Sequence, residues 1–131
     1  MIPSKKAMAG ARFTPVTLKD FQDFFRRGFA AVDPKVGNHR GEVFYDLPLS
    51  EKVVIRVFTS VGTGGSGAGH GEDAIRLTLC RVDGRPLVTK GGKWPIVKRT
   101  QNWRDNLRDL IGEHMEMFYS KEDYWNDRAS S

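Results

Sequence analysis

The sequence predicts an α+β domain: an antiparallel meander of four to five strands, with a short N-terminal helix and a long C-terminal helix packed on it. Three observations carry this. Phenylalanines recur at helical spacing between residues 18 and 31; stretches rich in β-branched residues then alternate with turn chemistry; and a helical apolar pattern resumes from Trp103 to Phe118. A chain of 131 residues with 39% apolar content has room for one core and not for two.

Residues 1–16 mix Pro, Lys, Gly and Ala without a period and read as a flexible basic arm ahead of a single domain, 17–119. Thr17-Leu-Lys-Asp20 has the form of a capping box, with Asp in place of the usual Glu or Gln. Leu18, Phe21, Phe25 and Phe29 then mark the inner face of a helix over 18–31, and Asp33-Pro34 with Gly37-Asn38 are expected to close it as turns. Strands are predicted at 42–47, 53–60, 73–82 and 86–90, with 96–100 as a short fifth strand or edge segment. The connection 48–52 and the Asp83-Gly84 pair mark hairpins, and sequential strands of this kind pair antiparallel.

From Thr100, a candidate N-cap, the pattern Trp103, Leu107, Leu110, Ile111, Met115 and Phe118 gives the long helix its inner face. Residues 120–131 are polar and acidic but hold Tyr124 and Trp125, and read as a tail able to dock on the domain or meet a partner.

Between the second and third predicted strands lies a glycine-rich stretch, 61–73, with six glycines in thirteen residues. Its Gly62-Thr-Gly-Gly-Ser-Gly67 spells the G-x-G-x-x-G of nucleotide loops, but that fingerprint works only where the glycines open a helix whose N–H groups hold the phosphate. Here both flanks read as strands. The stretch is therefore a long hairpin connection, of the kind that serves as a lid or binding loop.

Net charge is +5 and is unevenly distributed: +5 over residues 1–40, −3 over 41–73, +7 over 74–108 and −4 over 109–131. The basic segment, from Arg76 to Arg108, is the electrostatic footprint of a polyanion binder. Cys80 is the only cysteine, which excludes intrachain disulfides and cysteine zinc sites and suits a cytoplasmic or other intracellular reducing compartment. There is no apolar run of about 18 residues to span a bilayer, and the N-terminus lacks the apolar core of a secretory signal, so a soluble protein acting away from membranes is expected, alone or as a small homo-oligomer.

Strand parity then sorts the side chains. If Val53, Ile55 and Val57, with Ile75, Leu77 and Leu79, face the core, then Arg56, Phe58, Arg76 and Cys80 face away from it. Phe44, Asp46, Val88 and Lys90 join them from the neighbouring strands, and Lys93, Trp94, Lys98 and Arg99 extend the same chemistry along the sheet's end. An antiparallel sheet can leave such a face solvated, and rings interleaved with cations suit single-stranded nucleic acid, which presents unstacked bases beside a row of phosphates. The order helix, four antiparallel strands, helix, together with this surface, resembles in architecture the Whirly family and the positive-cofactor-type transcription coactivators. No stretch of the chain matches a motif of either, so the resemblance implies a class of ligand and assigns no residue roles.

The expectation is a non-catalytic protein for single-stranded nucleic acid, DNA ahead of RNA, without a cofactor or metal. Arg56, Arg76, Lys90, Lys93, Lys98 and Arg99 would meet phosphates, and Phe58, Phe44 and Trp94 would meet bases. Two alternatives stand beside it. One is a metal-dependent nuclease built on Asp46, His70, Glu72 and Asp73, although strand three lacks the E-x-K of the common carboxylate-lysine nucleases. The other is an interaction module whose basic face meets an acidic protein. Cys80 reads as a buried inert thiol, and His39 and His114 have no partner at metal-ligand spacing.

Overall fold

The computed structural model describes residues 16–61 and 74–131. Residues 1–15 of the basic arm and 62–73 of the glycine-rich stretch, with His70, Glu72 and Asp73, lie outside the described residues, whereas Val16 is buried in the core.

Helix α1, Leu18–Gly28, starts where the capping box places it: Thr17 Oγ1 accepts from the Asp20 N–H at 3.2 Å, and the Asp20 carboxylate accepts from the Thr17 N–H at 2.9 Å. It stops three residues earlier than predicted, and a single 3₁₀ turn, Ala30–Val32, follows before Asp33 takes a left-handed conformation. Phe21, Phe24 and Phe25 are its buried residues, whereas Leu18, expected on the inner face, is exposed.

The sheet is a five-stranded antiparallel meander in sequence order: β1 Lys35–His39, β2 Glu42–Pro48, β3 Val53–Phe58, β4 Ala74–Arg81 and β5 Ile96–Lys98. Two predictions need correction. Gly37-Asn38 lie inside strand β1 and make no turn; the turn is Arg40-Gly41, both with positive φ, as a tight right-twisted hairpin requires, and the Gly41 N–H donates to Asn38 Oδ1 at 2.9 Å. Glycine serves at position 37 because the Phe44 ring of β2 lies over it, leaving no room for a Cβ.

The second correction concerns 86–90, which is not a strand. The Asp83-Gly84 turn does reverse the chain, and Arg81 and Leu87 donate to the Arg85 and Leu79 carbonyls, but only the Cys80–Pro86 bridge forms. Proline has no N–H to continue a ladder, and Gly91-Gly92, both at positive φ, turn the chain again between Lys90 and Lys93. The beginning of β4, residues 74–76, pairs instead with β5.

Helix α2, Trp103–Tyr119, buries Trp103, Leu107, Ile111, His114 and Phe118; Leu110 and Met115, expected at the core, are half-buried. Its N-cap is Asn102, without a side-chain cap bond. Residues 122–130 form a further helix, α3, Glu122–Ser130, whose Trp125 indole donates to the Met117 carbonyl at 2.9 Å. Contacts from Asn126 to Ser50 and from Ser130 to Lys52 tie it to the β2–β3 turn.

One continuous core joins the helices to one sheet face: Phe21, Phe25, Trp103, Leu107, Ile111 and Phe118 pack on Tyr45, Leu47, Val53, Ile55, Val57, Ile75, Leu77 and Leu79. The parity argument therefore holds on both central strands. Among the described residues no helix is long and apolar enough to cross a membrane.

Candidate functional site

Strand parity sends Phe44, Asp46, Arg56, Phe58, Arg76, Thr78 and Cys80 to the other face of the sheet, where register sets them side by side: Asp46 opposite Arg56, Phe44 opposite Phe58, and Phe58 opposite Arg76. Register thus brings rings and cations of this face together. Its exposure differs from expectation, because Arg56 and Phe58 are buried, Phe58 being only 8% exposed.

The connection between β4 and β5 supplies part of the cover. The Val82 carbonyl lies 3.4 Å from Arg56 Nη2, a Cβ on Gly84 would meet Arg56 Nη1 at 2.5 Å, and Thr78 donates to the Val88 carbonyl at 2.6 Å. Trp94 then packs on Phe58, with ring centres 5.5 Å apart.

Both arginines are neutralised within the face. Arg56 grips Asp46 through Nε and Nη2, each at 2.8 Å, and stacks on Phe44 with 4.0 Å from guanidinium carbon to ring centre. The hydrogen bond that Arg56 donates to Asp46 raises the Arg56 pKa further above its ordinary value, against burial, which lowers it. Arg76 binds Glu42 at 3.0 Å and lies 4.7 Å from the Phe58 ring centre. Glu42 also accepts from the Ser60 N–H at 2.8 Å, at the point where the chain leaves β3 with Ser60 at positive φ.

The rings form a connected set. Phe44 meets Phe58 edge-on at 5.5 Å, Trp94 tilts against Phe58 from the other side, and His39 approaches Phe58 at 6.2 Å. Phe44 and Trp94 are half-buried and His39 is exposed, so their rims are reachable while Phe58 backs them.

Of the remaining predicted cations, Lys90, Lys93 and Lys98 are exposed, and no ion pair engages them among the described residues. Lys90 and Lys93 bracket the Gly91-Gly92 turn, joined by backbone bonds of 2.9 and 3.0 Å, and Lys93 adjoins Trp94. Arg99 is half-buried, with its Nε enclosed and unpartnered among the described residues.

Asp46 has both oxygens occupied by Arg56, so a metal there would have to displace the guanidinium. Among the described residues no three His, Cys, Asp or Glu side chains come together as a metal site. Cys80 is fully buried, and burial pushes its thiol up to about 12, which removes it as a nucleophile.

Sequence reasoning did not pair Glu42 with Arg76 or bring His39 to the rings, and it weighed His114 only as a metal ligand. Acids at 42 and 46 share one strand face and were the signal for the first. His39 was hidden by the misplaced turn, and the place of His114 on the buried face of its helix was hidden because a polar residue does not mark the apolar period. Comparison of the chain with models of protein families, with curated proteins and with solved structures returned no match.

Proposed function

We propose that this protein binds single-stranded nucleic acid without catalysing a reaction, through the helix-free face of its sheet. The observation that supports this reading most is the connected set Phe44, Phe58 and Trp94, flanked by Lys90 and Lys93, which lack ion-pair partners among the described residues. Bases stacking on the reachable rims of Trp94, Phe44 and His39 would each contribute roughly 1–3 kcal/mol, tolerant of sequence because every base has a π-face. Lys90, Lys93, Lys98 and Arg99 would meet the phosphates.

Arg56 and Arg76 take a different part in this proposal from the one their charge suggests. Each is committed to a carboxylate and to a ring, so each holds a ring in place and contributes little attraction for phosphate. Fluorescent single-stranded and duplex oligonucleotides of DNA and of RNA, titrated at several salt concentrations, test the reading. Single strands should bind more tightly than duplex, with log K falling against log salt by about 0.7 per phosphate contact, hence by roughly 2–3 in all for three to four cations. Tighter binding to duplex, or no dependence on salt, refutes it.

A further inference from the structure

Beyond the sheet face, the β4–β5 connection and helix α2 enclose a groove of about 800 Å³. Its walls are apolar: Val88, Trp94, Pro95 and Ile96 on one side, Leu110 and Met117 on the other. Lys90, Lys93 and Glu113 are exposed members of its lining, a surplus of one positive charge. Volume, apolar walls and a few polar groups are the usual character of a small-molecule site.

His114 is the polar group inside it. The residue is only 3% exposed, and its Nδ1 lies 2.9 Å from the Leu110 carbonyl of the same helix. A carbonyl only accepts, so Nδ1 carries the hydrogen, and in the neutral ring Nε2 is left as an acceptor. The hydrogen bond of the ring among the described residues is the one through Nδ1, and the ring lines the groove. An acceptor that no protein group answers is open to a donor brought by a ligand.

These features specify a ligand in three parts: a planar apolar body for Trp94, Ile96, Leu110 and Met117, an O–H or N–H donor for His114 Nε2, and an acid for Lys90 and Lys93. We infer that the groove binds a small aromatic carboxylate carrying a ring hydroxyl. The inference does not depend on nucleic-acid binding, although Trp94 belongs to both surfaces.

Three probes of similar size separate the contributions in calorimetric titrations of the full chain: 3-(4-hydroxyphenyl)propionate, 3-phenylpropionate, which lacks the donor, and 4-ethylphenol, which lacks the acid. The hydroxy acid should bind most tightly, and each of the others more weakly by about tenfold, the scale of one hydrogen bond or charge contact. His114→Phe should abolish the preference for the hydroxyl and Lys93→Met should reduce the preference for the acid. Lys93 is exposed, so that variant and the comparison of probes on the unaltered chain stand even if His114→Phe does not fold. Absence of binding at ~1 mM, equal binding of all three probes, or preferences that survive the substitutions would overturn the inference.

Discussion

Arg56 and Asp46 face each other across β3 and β2 and share two 2.8 Å contacts, with side chains only 11% and 14% exposed. A pair this enclosed has lost most of its hydration, so each partner depends on the other. Asp46→Ala, which leaves the guanidinium uncompensated, should cost about 3 kcal/mol. The double variant Asp46→Leu/Arg56→Met, of similar volume and without charge, should cost distinctly less, because the desolvation penalty goes with the pair. Urea denaturation of both variants measures the difference, and equal losses would mean that the pair is well solvated.

Phe58 lies on the face away from the helices, yet is enclosed by Phe44, Trp94, Arg76 and His39. Phe58→Ala should therefore destabilise the fold by about 3 kcal/mol, the lower end for a buried phenylalanine. Thermal melts decide it: a variant that melts with the parent means that the ring is solvated.

Cys80 gives a chemical test of the same face. Burial raises its thiol to about 12, so at pH 8 almost none of it is thiolate, the form that reacts. The folded protein should resist iodoacetamide and release no colour from a disulfide reagent. Adding denaturant should expose one thiol at the ordinary rate; prompt reaction of the native protein would contradict its enclosure.

The capping box makes a small part of stability dependent on acid. The Thr17 backbone N–H, bonded to the Asp20 carboxylate at 2.9 Å, lowers the Asp20 pKa, against slight burial; the Thr17 hydroxyl and Arg104, 3.7 Å away, lower it further. Since the folded value lies below the unfolded one, near 3.9, the stabilisation is complete above that pH and is lost as pH falls through the folded value. Asp20→Ala should cost about 1 kcal/mol at pH 7, the scale of a cap bond. The gap should narrow below about pH 4. A gap constant from pH 7 to pH 2 would show that the carboxylate's charge is irrelevant to the cap.

Gly84 holds a φ of +100° with Arg56 Nη1 2.5 Å from where a Cβ would stand. Gly84→Ala is thus strained twice, by backbone conformation and by the guanidinium, and should destabilise by more than about 1 kcal/mol. Combining it with Asp46→Ala should give less than the sum, because both act on Arg56. Additive losses would place the two effects on separate parts of the fold.

What the sequence determined by itself is local and periodic. Parity put Ile55, Val57, Leu77 and Leu79 on the core and Arg56, Phe58 and Arg76 opposite them, because a strand's side chains alternate whatever the strand packs against. The Thr17–Asp20 cap and the α2 stripe from Trp103 to Phe118 were legible for the same reason: their partners lie within one helical turn or one helix face. The tertiary structure decided what covers the second face. Asp46 and Glu42 come from β2, and Val82, Gly84 and Trp94 from a connection twenty to forty residues beyond β3, so whether an arginine is free or committed depends on neighbours that no local period encodes. Strand β1 was missed because Gly37-Asn38 carries turn chemistry while the Phe44 ring, brought by a neighbouring strand, is what requires the glycine. His114 lines the groove because a helix and a connection distant in sequence meet there, an arrangement set by how the core packs and not by the order of residues along either segment.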